Sequence, residues 1–148
     1  MSMDLHDAVA AALAAQGVRY TSHRRTLVTA LRDAGQPLTI PQLVAAASTV
    51  PQSSVYRNLA IFEAAGVVHR MPGPDDFGRY ELAEHLMGHH HHLVCSRCGV
   101  VEDVVLPPAV EQELDRALER VARTRGFALN SHRLDLVGDC TNCDPRGA

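Results

Sequence analysis

Residues 89–98 read His89-His90-His91-His92-Leu93-Val94-Cys95-Ser96-Arg97-Cys98, so four histidines run directly into a Cys-x-x-Cys pair. A second pair, Cys140 and Cys143, lies near the end of the sequence, and these four are all the cysteines in the chain. Two such pairs predict a tetrahedral Zn²⁺ site of structural type, with four thiolates and no open coordination position. Buried free thiols, or a redox pair of the thioredoxin type, are the alternative interpretations.

The histidine run predicts metal ligands on both sides of one strand. Side chains alternate between the faces of a strand, so His90 and His92 point one way and His89 and His91 the other. One run can therefore serve two different metal sites. The nitrogen and oxygen donors elsewhere that could complete these sites are His69, Glu81, Glu84, His85, Asp103, Glu111 and His132. A solvent-exposed tract or the remnant of a tag is the alternative interpretation.

The sequence before the histidine run predicts a winged helix-turn-helix. Thr39, with Gln42 three residues later, is a capping-box signature that starts the third of four helices. The fourth helix starts at Gln52 and ends near Gly66. Two short strands then form a hairpin around a turn rich in Pro, Gly and Asp; the strands span residues 67–71 and 79–82, and the turn spans residues 72–78.

The remaining sequence predicts a second, smaller α/β domain, which divides the chain into residues 1–83 and 84–148. Its strands are predicted over residues 91–95, 100–106 and 133–137. Pro107 and Pro108 open its helix, in which Val110, Leu114, Leu118 and Val121 recur at helical spacing before Gly126. The predicted fold class is therefore α+β: a winged helix-turn-helix followed by a small α/β domain with a four-cysteine zinc site.

Charge is divided unevenly along the chain, whose net charge is −3. Between Gly17 and Arg57 five arginines face a single acid, Asp33, whereas ten acids face seven arginines from Glu84 onward. A basic first part suits the phosphates of nucleic acid. No stretch reaches the roughly 20 apolar residues of a membrane span, and the first residues lack a basic signal-peptide region. We therefore expect a cytoplasmic protein without a membrane partner, in which paired cysteines bind metal.

The order of these motifs resembles the ferric uptake regulator family of bacterial metal sensors. The stretches that carry the resemblance are Gly17 to Arg24, Ser54 to Leu59, Arg79 to Leu82, His89 to Gly99, and the terminal pair Cys140 and Cys143. The resemblance implies a homodimer with an N-terminal winged helix and a C-terminal dimerisation domain. It also implies a repressor that binds double-stranded operator DNA when loaded with metal and controls metal-uptake genes.

The resemblance sorts the metal ligands into three sets. The structural zinc takes Cys95, Cys98, Cys140 and Cys143. The regulatory site between the domains takes His69, Glu81, His90 and His92, with Glu84, His85 and Asp103 as further candidates. A site in the dimerisation domain takes His89, His91, Glu111 and His132. Many relatives add a histidine near the third helix, where this chain has Pro37 and Leu38, so that ligand is absent.

The same resemblance identifies the DNA-binding residues. The helix that starts at Gln52 is expected to enter the major groove. Tyr56 is expected to contact thymine methyl groups and Arg57 the DNA backbone, while Arg19 supplies a minor-groove or phosphate contact. The remaining expected DNA-binding residues are Arg24, Ser53 and Ser54. The alternatives are core packing for Tyr56 and a solvated helix face for Arg24 and its neighbour Arg25.

The identity of the regulatory metal depends on ligand type and geometry. Imidazole and carboxylate donors suit Fe²⁺, Mn²⁺, Co²⁺ or Zn²⁺, and the absence of a spare cysteine favours Fe²⁺. A zinc-sensing member is one alternative, since the four-histidine run is similar to zinc sensors, and a peroxide-sensing member with Asp103 near the iron is another. Outside the family, the alternatives are a metal-storage protein and a zinc hydrolase. No His-Glu-x-x-His pattern supports a hydrolase, so we predict that the chain is not an enzyme.

Overall fold

The computed structural model describes residues 3–72 and 77–144, and it has the predicted α+β fold. Four helices and a hairpin come first: α1 (Leu5–Ala14), α2 (Ser22–Ala34), α3 (Ile40–Ala46), α4 (Gln52–Ala64), β1 (Val68–Pro72) and β2 (Gly78–Leu82). A smaller α/β part follows: α5 (Glu84–Met87), β3 (His91–Cys95), β4 (Val101–Val104), α6 (Pro108–Thr124) and β5 (Asp135–Gly138). Most of the turn predicted between the hairpin strands, residues 73–76, lies outside the described residues.

Local sequence signals set the ends of the first helices. Thr21 caps α2, because its hydroxyl accepts the Arg24 N–H at 3.4 Å, and Gly35 ends this helix with a φ of 62°. At the start of α3 the Thr39 N–H donates to the Gln42 side-chain oxygen at 2.9 Å. The Gln42 N–H donates in return to the Thr39 hydroxyl at 3.4 Å. These reciprocal bonds confirm the predicted capping box.

One apolar core joins the four helices to the hairpin. Leu13, Leu27 and Phe62 are fully buried in it, and the hairpin contributes Tyr80 and Leu82. Burial of this apolar surface is the main term that stabilises the N-terminal part. Leu38 and Tyr80 also exchange two backbone hydrogen bonds, of 2.9 and 2.7 Å, so β2 is attached to the segment before α3.

The hairpin has two faces, because side chains alternate along its strands. Val68, Tyr80 and Leu82 lie on the face that closes the apolar core. The strand register pairs the residues of the opposite face with one another: His69 with Glu81, and Met71 with Arg79. We call these four residues the outer face of the wing. This face meets the second part of the chain, and it positions the site described below.

The second part is built on a three-stranded sheet in the order β4-β3-β5. The central strand β3 is antiparallel to β4 and parallel to β5, so α6 lies in the crossover between them. The strand predicted over residues 91–95 is found with those bounds. The other two are Val101–Val104 and Asp135–Gly138, and thus differ by a few residues at their ends from the predicted ranges. Such end differences are expected because strand termini depend on the neighbouring strand.

Apolar residues of the second part are largely exposed in the single chain. No residue of α6 is buried, and Val110 and Val121 of that helix are 48% and 63% exposed. Other exposed apolar residues here include Val105, Phe127, Leu129, Leu134, Leu136 and Val137. The second part therefore lacks an apolar core of its own among the described residues. None of the helices within the described ranges has the length and apolar character needed to span a membrane.

Candidate metal centres

Three groups of metal-binding side chains form within the described ranges. In each group the ligand atoms lie within 4.8 Å of one another. The cysteine centre contains Cys95, Cys98, Cys140 and Cys143; the bridging centre contains Glu81, His90, His92 and Asp103; and the helix centre contains His89, His91, Glu111 and His132. The alternation expected for the histidine run therefore separates it into two centres, and it includes His89 and His90, which directly precede β3.

Two tight turns form the cysteine centre. The Gly99 N–H donates to the Cys95 carbonyl at 3.0 Å, and the Cys143 N–H donates to the Cys140 carbonyl at 2.9 Å. Gly99 has a φ of 75°, which glycine adopts without steric cost. The sulfurs of Cys98 and Cys140 lie 3.7 Å apart. This spacing matches the edge of about 3.8 Å in a tetrahedron with Zn–S bonds of about 2.3 Å, so the four cysteines fit Zn²⁺.

Crowding of the four sulfurs separates their acidities. Backbone N–H groups of Cys140 and Cys98 donate to the Cys95 sulfur and lower its pKa to about 6. The neighbouring Cys140 and Cys98 sulfurs instead raise the pKa of Cys143 to about 12. Without a cation, the four groups cannot all ionise at such short distances. A divalent ion removes this conflict, because it is bound by thiolates and neutralises their charge.

The bridging centre joins the wing to the second sheet. Glu81, on the outer face of the wing, places one carboxylate oxygen 2.9 Å from His92 Nε2 and 3.1 Å from His90 Nε2. Asp103 lies opposite His92 on β4, with an oxygen 3.6 Å from the same His92 atom. Two imidazole nitrogens and two carboxylate oxygens therefore converge, which is a donor set for Fe²⁺, Mn²⁺ or Zn²⁺.

Charge in the bridging centre is shared between its acids and its histidines. Burial raises the pKa of Glu81, but hydrogen bonds from His92 and His90 outweigh it and hold that pKa below its usual range. The hydrogen bond to Glu81 raises the pKa of His92. Burial lowers the pKa of His90, but the Gly88 carbonyl and Glu81 outweigh it, so that pKa is also raised. The hydrogen bonds between Glu81 and the two imidazoles therefore favour an ionised Glu81 and protonated imidazoles when no metal is bound.

Outer partners hold the second nitrogen of each bridging histidine. His92 Nδ1 lies 3.2 Å from an Asp135 oxygen, and His90 Nδ1 lies 3.0 Å from the Gly88 carbonyl. Such partners fix the orientation of the imidazole ring and leave Nε2 available to a metal. The bridging centre therefore has the inner and outer arrangement that is typical of a protein metal site.

Three further residues predicted for the regulatory site lie beside the bridging centre and outside its group of four. His69, Glu84 and His85 line a cavity of about 390 Å³ that also contains Glu81, His90 and His92. Arg133 donates from its guanidinium to His69 Nε2 at 2.6 Å. Burial, together with the charge of Arg133, lowers the pKa of His69. Glu84 has an oxygen 2.5 Å from His89 Nδ1, so its contact is with the helix centre.

The helix centre connects β3 with α6. Glu111 of α6 places one oxygen 3.0 Å from His89 Nε2 and 2.9 Å from His132 Nε2, and its other oxygen 3.0 Å from His91 Nε2. Asp115, one turn further along α6, lies 3.1 Å from His132 Nδ1. His91 is 1% exposed, and its Nδ1 has no hydrogen-bond partner among the described residues. Three imidazoles and one carboxylate can therefore hold a second N/O-ligated ion.

The expected DNA-binding residues lie on the exposed side of α4 and at the start of α2. Val55, Leu59 and Phe62 of α4 are buried, whereas Tyr56 is 52% exposed, so its ring is not packed in the core. The exposed residues also include Arg19, Ser53 and Arg57, while Ser54 is half-buried. This arrangement leaves a polar helix face available for a nucleic-acid groove.

Arg24, which is expected to bind DNA, also makes specific contacts inside the protein. Its Nε donates to the Asn58 side-chain oxygen at 2.8 Å, and its guanidinium also donates to the Arg19 carbonyl. Asn58 is buried, at 7% exposed. Arg24 therefore connects α2 to α4, and it is half-buried and not fully solvated.

Sequence reasoning missed the residues that surround the centres. Asp115, Arg133 and Asp135 each contact a predicted ligand, but none belongs to a recognisable local motif. Asp135 faces His92 because β5 pairs in parallel with β3, a contact that spans 43 residues of sequence. Gln36 was also missed; it lines a cavity of about 160 Å³ with Glu81, His90 and Asp103.

Comparison with known proteins identifies a family. The model of the ferric uptake regulator family matches residues 15–137. The chain is 33% identical to the ferric uptake regulation protein of Rhizobium leguminosarum bv. viciae over 127 residues, which cover 83% of this chain and 84% of that protein. It is 25% identical to a peroxide-responsive repressor of Staphylococcus saprophyticus subsp. saprophyticus over 134 residues, which cover 88% and 85% of the two chains.

A solved structure described as a zinc-bound manganese uptake regulator is also similar. It is 30% identical and superposes with a TM-score of 0.66, over 89% of this chain and 98% of that chain. The names of these three proteins refer to ferric uptake, to a peroxide response and to manganese uptake, the last in a zinc-bound structure.

Proposed function

This chain belongs to the ferric uptake regulator family of metal-dependent, DNA-binding transcriptional repressors, and on that premise we propose that its regulatory metal is Fe²⁺ bound at the bridging centre. Members of the family are transcriptional regulators, so the prediction that the chain is not an enzyme is confirmed. The proposed targets are genes of metal uptake. The proposed place of action is the cytoplasm, where bacterial operator DNA is found.

The observation that carries the proposal is that Glu81 and His92 belong to different parts of the fold. Glu81 lies on the wing, which packs on the DNA-binding helices, and His92 lies on the central strand of the second sheet. Their ligand atoms are 2.9 Å apart. One ion bound by both residues, and by His90, would fix the angle between residues 1–83 and residues 84–148, which we propose as the two domains. His69, which lines the adjoining cavity, is the proposed further ligand from the wing.

The donor set of the bridging centre supports Fe²⁺. Its members are imidazole and carboxylate groups, and all four cysteines lie together in a separate group. A site without thiolate does not favour the softer ions over Fe²⁺ or Mn²⁺. Asp103, which adds a second carboxylate to the centre, supports the peroxide-sensing alternative, in which bound iron oxidises its own histidine ligands. A zinc-sensing member stays as the third candidate.

The cysteine centre supports a structural Zn²⁺ that contributes to folding. The four sulfurs lie within 4.8 Å of one another, and the Cys98–Cys140 distance of 3.7 Å suits a tetrahedral site. Four thiolates leave no open coordination position for exchange or catalysis. Zinc bound there would hold the turn after β5 against the turn after β3. Because such a site does not form in an unfolded chain, its binding energy adds to the stability of the folded state.

The exposed apolar surface of the second part supports a homodimer. Val110 and Val121 of α6 and Leu136 and Val137 of β5 are all 47% exposed or more. Exposed apolar side chains of this kind, on α6 and on β5, are typical of a partner interface. The β5 strand is also an edge strand, with unpaired backbone groups that a second copy can cover. The helix centre, which attaches Glu111 of α6 to the sheet, is a proposed second metal site that stabilises this interface.

Metal would control DNA binding through the geometry of the dimer. Two recognition helices, one α4 from each protomer, must enter grooves about one helical turn, or roughly 34 Å, apart. The exposed Tyr56 and Arg57 would then contact bases and backbone, with Ser53, Ser54, Arg19 and Arg24 beside them. Without the ion the spacing between the two helices would vary. Because the coupling is reciprocal, operator DNA must raise the affinity for the metal by the same factor.

The test is a DNA-binding titration of the dimer with its zinc content fixed. Fe²⁺ under anaerobic conditions, Mn²⁺ and Zn²⁺ would be added in separate buffered series to the protein and the promoter beside its own gene. Binding with Fe²⁺ at micromolar or lower free concentration, and weaker responses to the others, is the expected result. A response to Zn²⁺ alone would identify zinc, and not Fe²⁺, as the regulatory metal. Release of DNA on addition of hydrogen peroxide, together with oxidation of His90 or His92, would identify a peroxide sensor. DNA binding of the same strength with and without each of the three metals would refute metal control.

A further inference from the structure

Arg79 is a charged residue of the wing that the proposed function does not use. It lies on β2, on the outer face of the wing, and only 7% of its surface is exposed. Its Nη2 donates to the Gly99 carbonyl at 3.0 Å, and its Nη1 donates to the Phe77 carbonyl at 3.4 Å. A guanidinium is rarely buried unless its hydrogen bonds are satisfied, so this position is specific.

Gly99 belongs to the first turn of the cysteine centre. It follows Cys98 directly, and its own N–H donates to the Cys95 carbonyl at 3.0 Å. The next residue, Val100, accepts the Cys95 N–H at 2.9 Å. Backbone bonds on both sides of Gly99 thus involve a zinc-site cysteine. The direction of the carbonyl that Arg79 contacts is therefore set by the turn that the four sulfurs hold.

We propose that Arg79 is a positioning residue that fixes the wing to the cysteine centre and so makes DNA binding depend on both metal sites. Arg79 and Glu81 are two residues apart on β2 and share a face, so one strand contacts two centres. Glu81 enters the bridging centre through His92, and Arg79 reaches the turn of the cysteine centre. The inference rests on the proposed function for its DNA measurement, whereas the contact between Arg79 and Gly99 stands on its own.

The two contacts have different roles in this arrangement. The Arg79 contact holds one point of β2 in the absence of regulatory metal. The ion at Glu81 then acts on a strand that Arg79 already holds two residues away. Its binding energy therefore fixes the angle between the two parts of the chain and is not needed to order the hairpin. Loss of Arg79 would leave the ligands Glu81, His90 and His92 intact. The regulatory ion would still bind, but the hairpin would move more. The bound ion would therefore fix the position of the wing less well.

The main variant is Arg79→Gln, with Arg70→Gln as its matched control. Arg70 lies on the neighbouring strand β1, is exposed, and carries the same charge, so its loss controls for general attraction to DNA. For each protein, zinc content, dimer mass, metal affinity at the bridging centre and DNA affinity with and without metal would be measured. The ratio of the two DNA affinities is the quantity that the proposal concerns.

We expect Arg79→Gln to retain zinc, dimer and metal affinity within about twofold, while the metal-induced gain in DNA affinity falls by about tenfold or more. Arg70→Gln is expected to keep that gain within about twofold. Arg79→Lys, which keeps the charge but offers a single donor group, is expected to lie between Arg79→Gln and the parent protein. An unchanged gain in Arg79→Gln would overturn the proposal, as would a full loss of zinc, which would make Arg79 a folding residue.

Hydrogen exchange provides a measurement that does not need DNA. In Arg79→Lys, or in Arg79→Gln if it folds, backbone amides of residues 78–82 and 97–100 should exchange faster together, while α1 is unchanged. Faster exchange across the whole N-terminal part would indicate general destabilisation and overturn the proposal. If the parent protein shows no metal-dependent DNA binding, the proposed function fails, and this exchange pattern still decides whether Arg79 connects the wing to the cysteine centre.

Discussion

Glu81 Oε2 lies 2.9 Å from His92 Nε2, and this contact connects the wing of the DNA-binding helices to the central strand of the second sheet. A carboxylate and an imidazole at this distance can share a proton or can both coordinate a divalent ion. Without metal, the two side chains contact each other directly. With metal, both would bind the ion, which would then hold the two parts of the chain together. The difference between these two states is the proposed basis of regulation.

Removal of one bridging imidazole should abolish regulation while preserving the fold. In His92→Ala the ion loses a nitrogen ligand, so metal affinity at the bridging centre should fall by more than about 100-fold. Metal-dependent operator binding should then disappear, although the protein remains a zinc-containing dimer. DNA-binding anisotropy with and without metal would measure this effect. Operator binding that still requires metal in His92→Ala, or in the parallel variant His90→Ala, would refute the assignment.

Loss of one zinc-site thiolate should remove both zinc and the dimer. In Cys95→Ser one of the four thiolates is lost, and structural Zn²⁺ sites contribute on the order of 10 kcal/mol to folding. Metal analysis and sedimentation should show a zinc-free protein that does not form a stable dimer. Ser96→Ala is the matched control, because Ser96 lies in the same turn and donates to Asp139 at 2.7 Å without offering a sulfur. A dimeric Cys95→Ser with full zinc content would contradict the role of the centre.

Metal binding at the bridging centre should weaken as the pH falls. The pKa values of His90 and His92 are raised above the ordinary histidine value of 6.5 in the metal-free protein, and a protonated imidazole cannot bind an ion. As the pH is lowered, protons should therefore begin to compete with the metal while the pH is still above 6.5. At a pH well above the raised pKa values, this competition should be absent. Each displaced proton contributes up to about one decade of affinity per pH unit. Titrations from about pH 8 to about pH 6 would measure it, and a constant affinity over that range would be inconsistent with histidine ligands.

A charge on the apolar side of α6 should separate the dimer. Val121 is 63% exposed in the single chain, and its proposed partner is the same surface of a second copy. Val121→Asp would bury an unpaired carboxylate there, so the dimer dissociation constant should rise by at least about tenfold. Arg123→Asp, on the same helix, is the control because Arg123 is exposed and pairs with Glu119 of its own helix. Equal sedimentation behaviour of the two variants would argue against α6 as part of the interface.

Loss of a phosphate contact should weaken DNA binding for all sequences. Arg57 is exposed on α4, and Arg57→Ala should reduce affinity for operator and unrelated DNA alike. The slope of log affinity against log salt concentration should decrease by about 1, because one fewer counterion is released. Arg116→Ala, which removes the same charge from α6, should leave that slope unchanged. An unchanged slope in Arg57→Ala would remove this residue from the DNA contacts.

Much of the fold could be predicted because its signals are local. The capping box at Thr39 and Gln42, the start of α4 at Gln52 and the strand over residues 91–95 each depend on residues close together in sequence. The separation of His90 and His92 from His89 and His91 is equally local, since side chains alternate along any strand. The two cysteine pairs carry their own signal, because few other roles suit that spacing.

Other features of the site required long-range contacts that no local pattern encodes. Asp135 faces His92 only because β5 pairs in parallel with β3, and Arg79 reaches Gly99 only because the wing packs beside the second sheet. His69 was predicted as a regulatory ligand from the family resemblance, whereas the structure gives it a contact with Arg133, 64 residues away in sequence. These distances depend on how two separate parts of the chain meet.

By itself, the sequence indicated most of the helices and strands, the grouping of four cysteines and the division of the histidine run into two N/O-ligand sets. These follow from backbone geometry and from the few donors each ion accepts. Only the tertiary structure decided that Asp103, and not Glu84 or His85, joins Glu81 in the bridging centre and that the apolar side of α6 stays exposed in the single chain. Both outcomes arise because packing between distant segments, and not local periodicity, sets which side chains come within a few ångströms of one another.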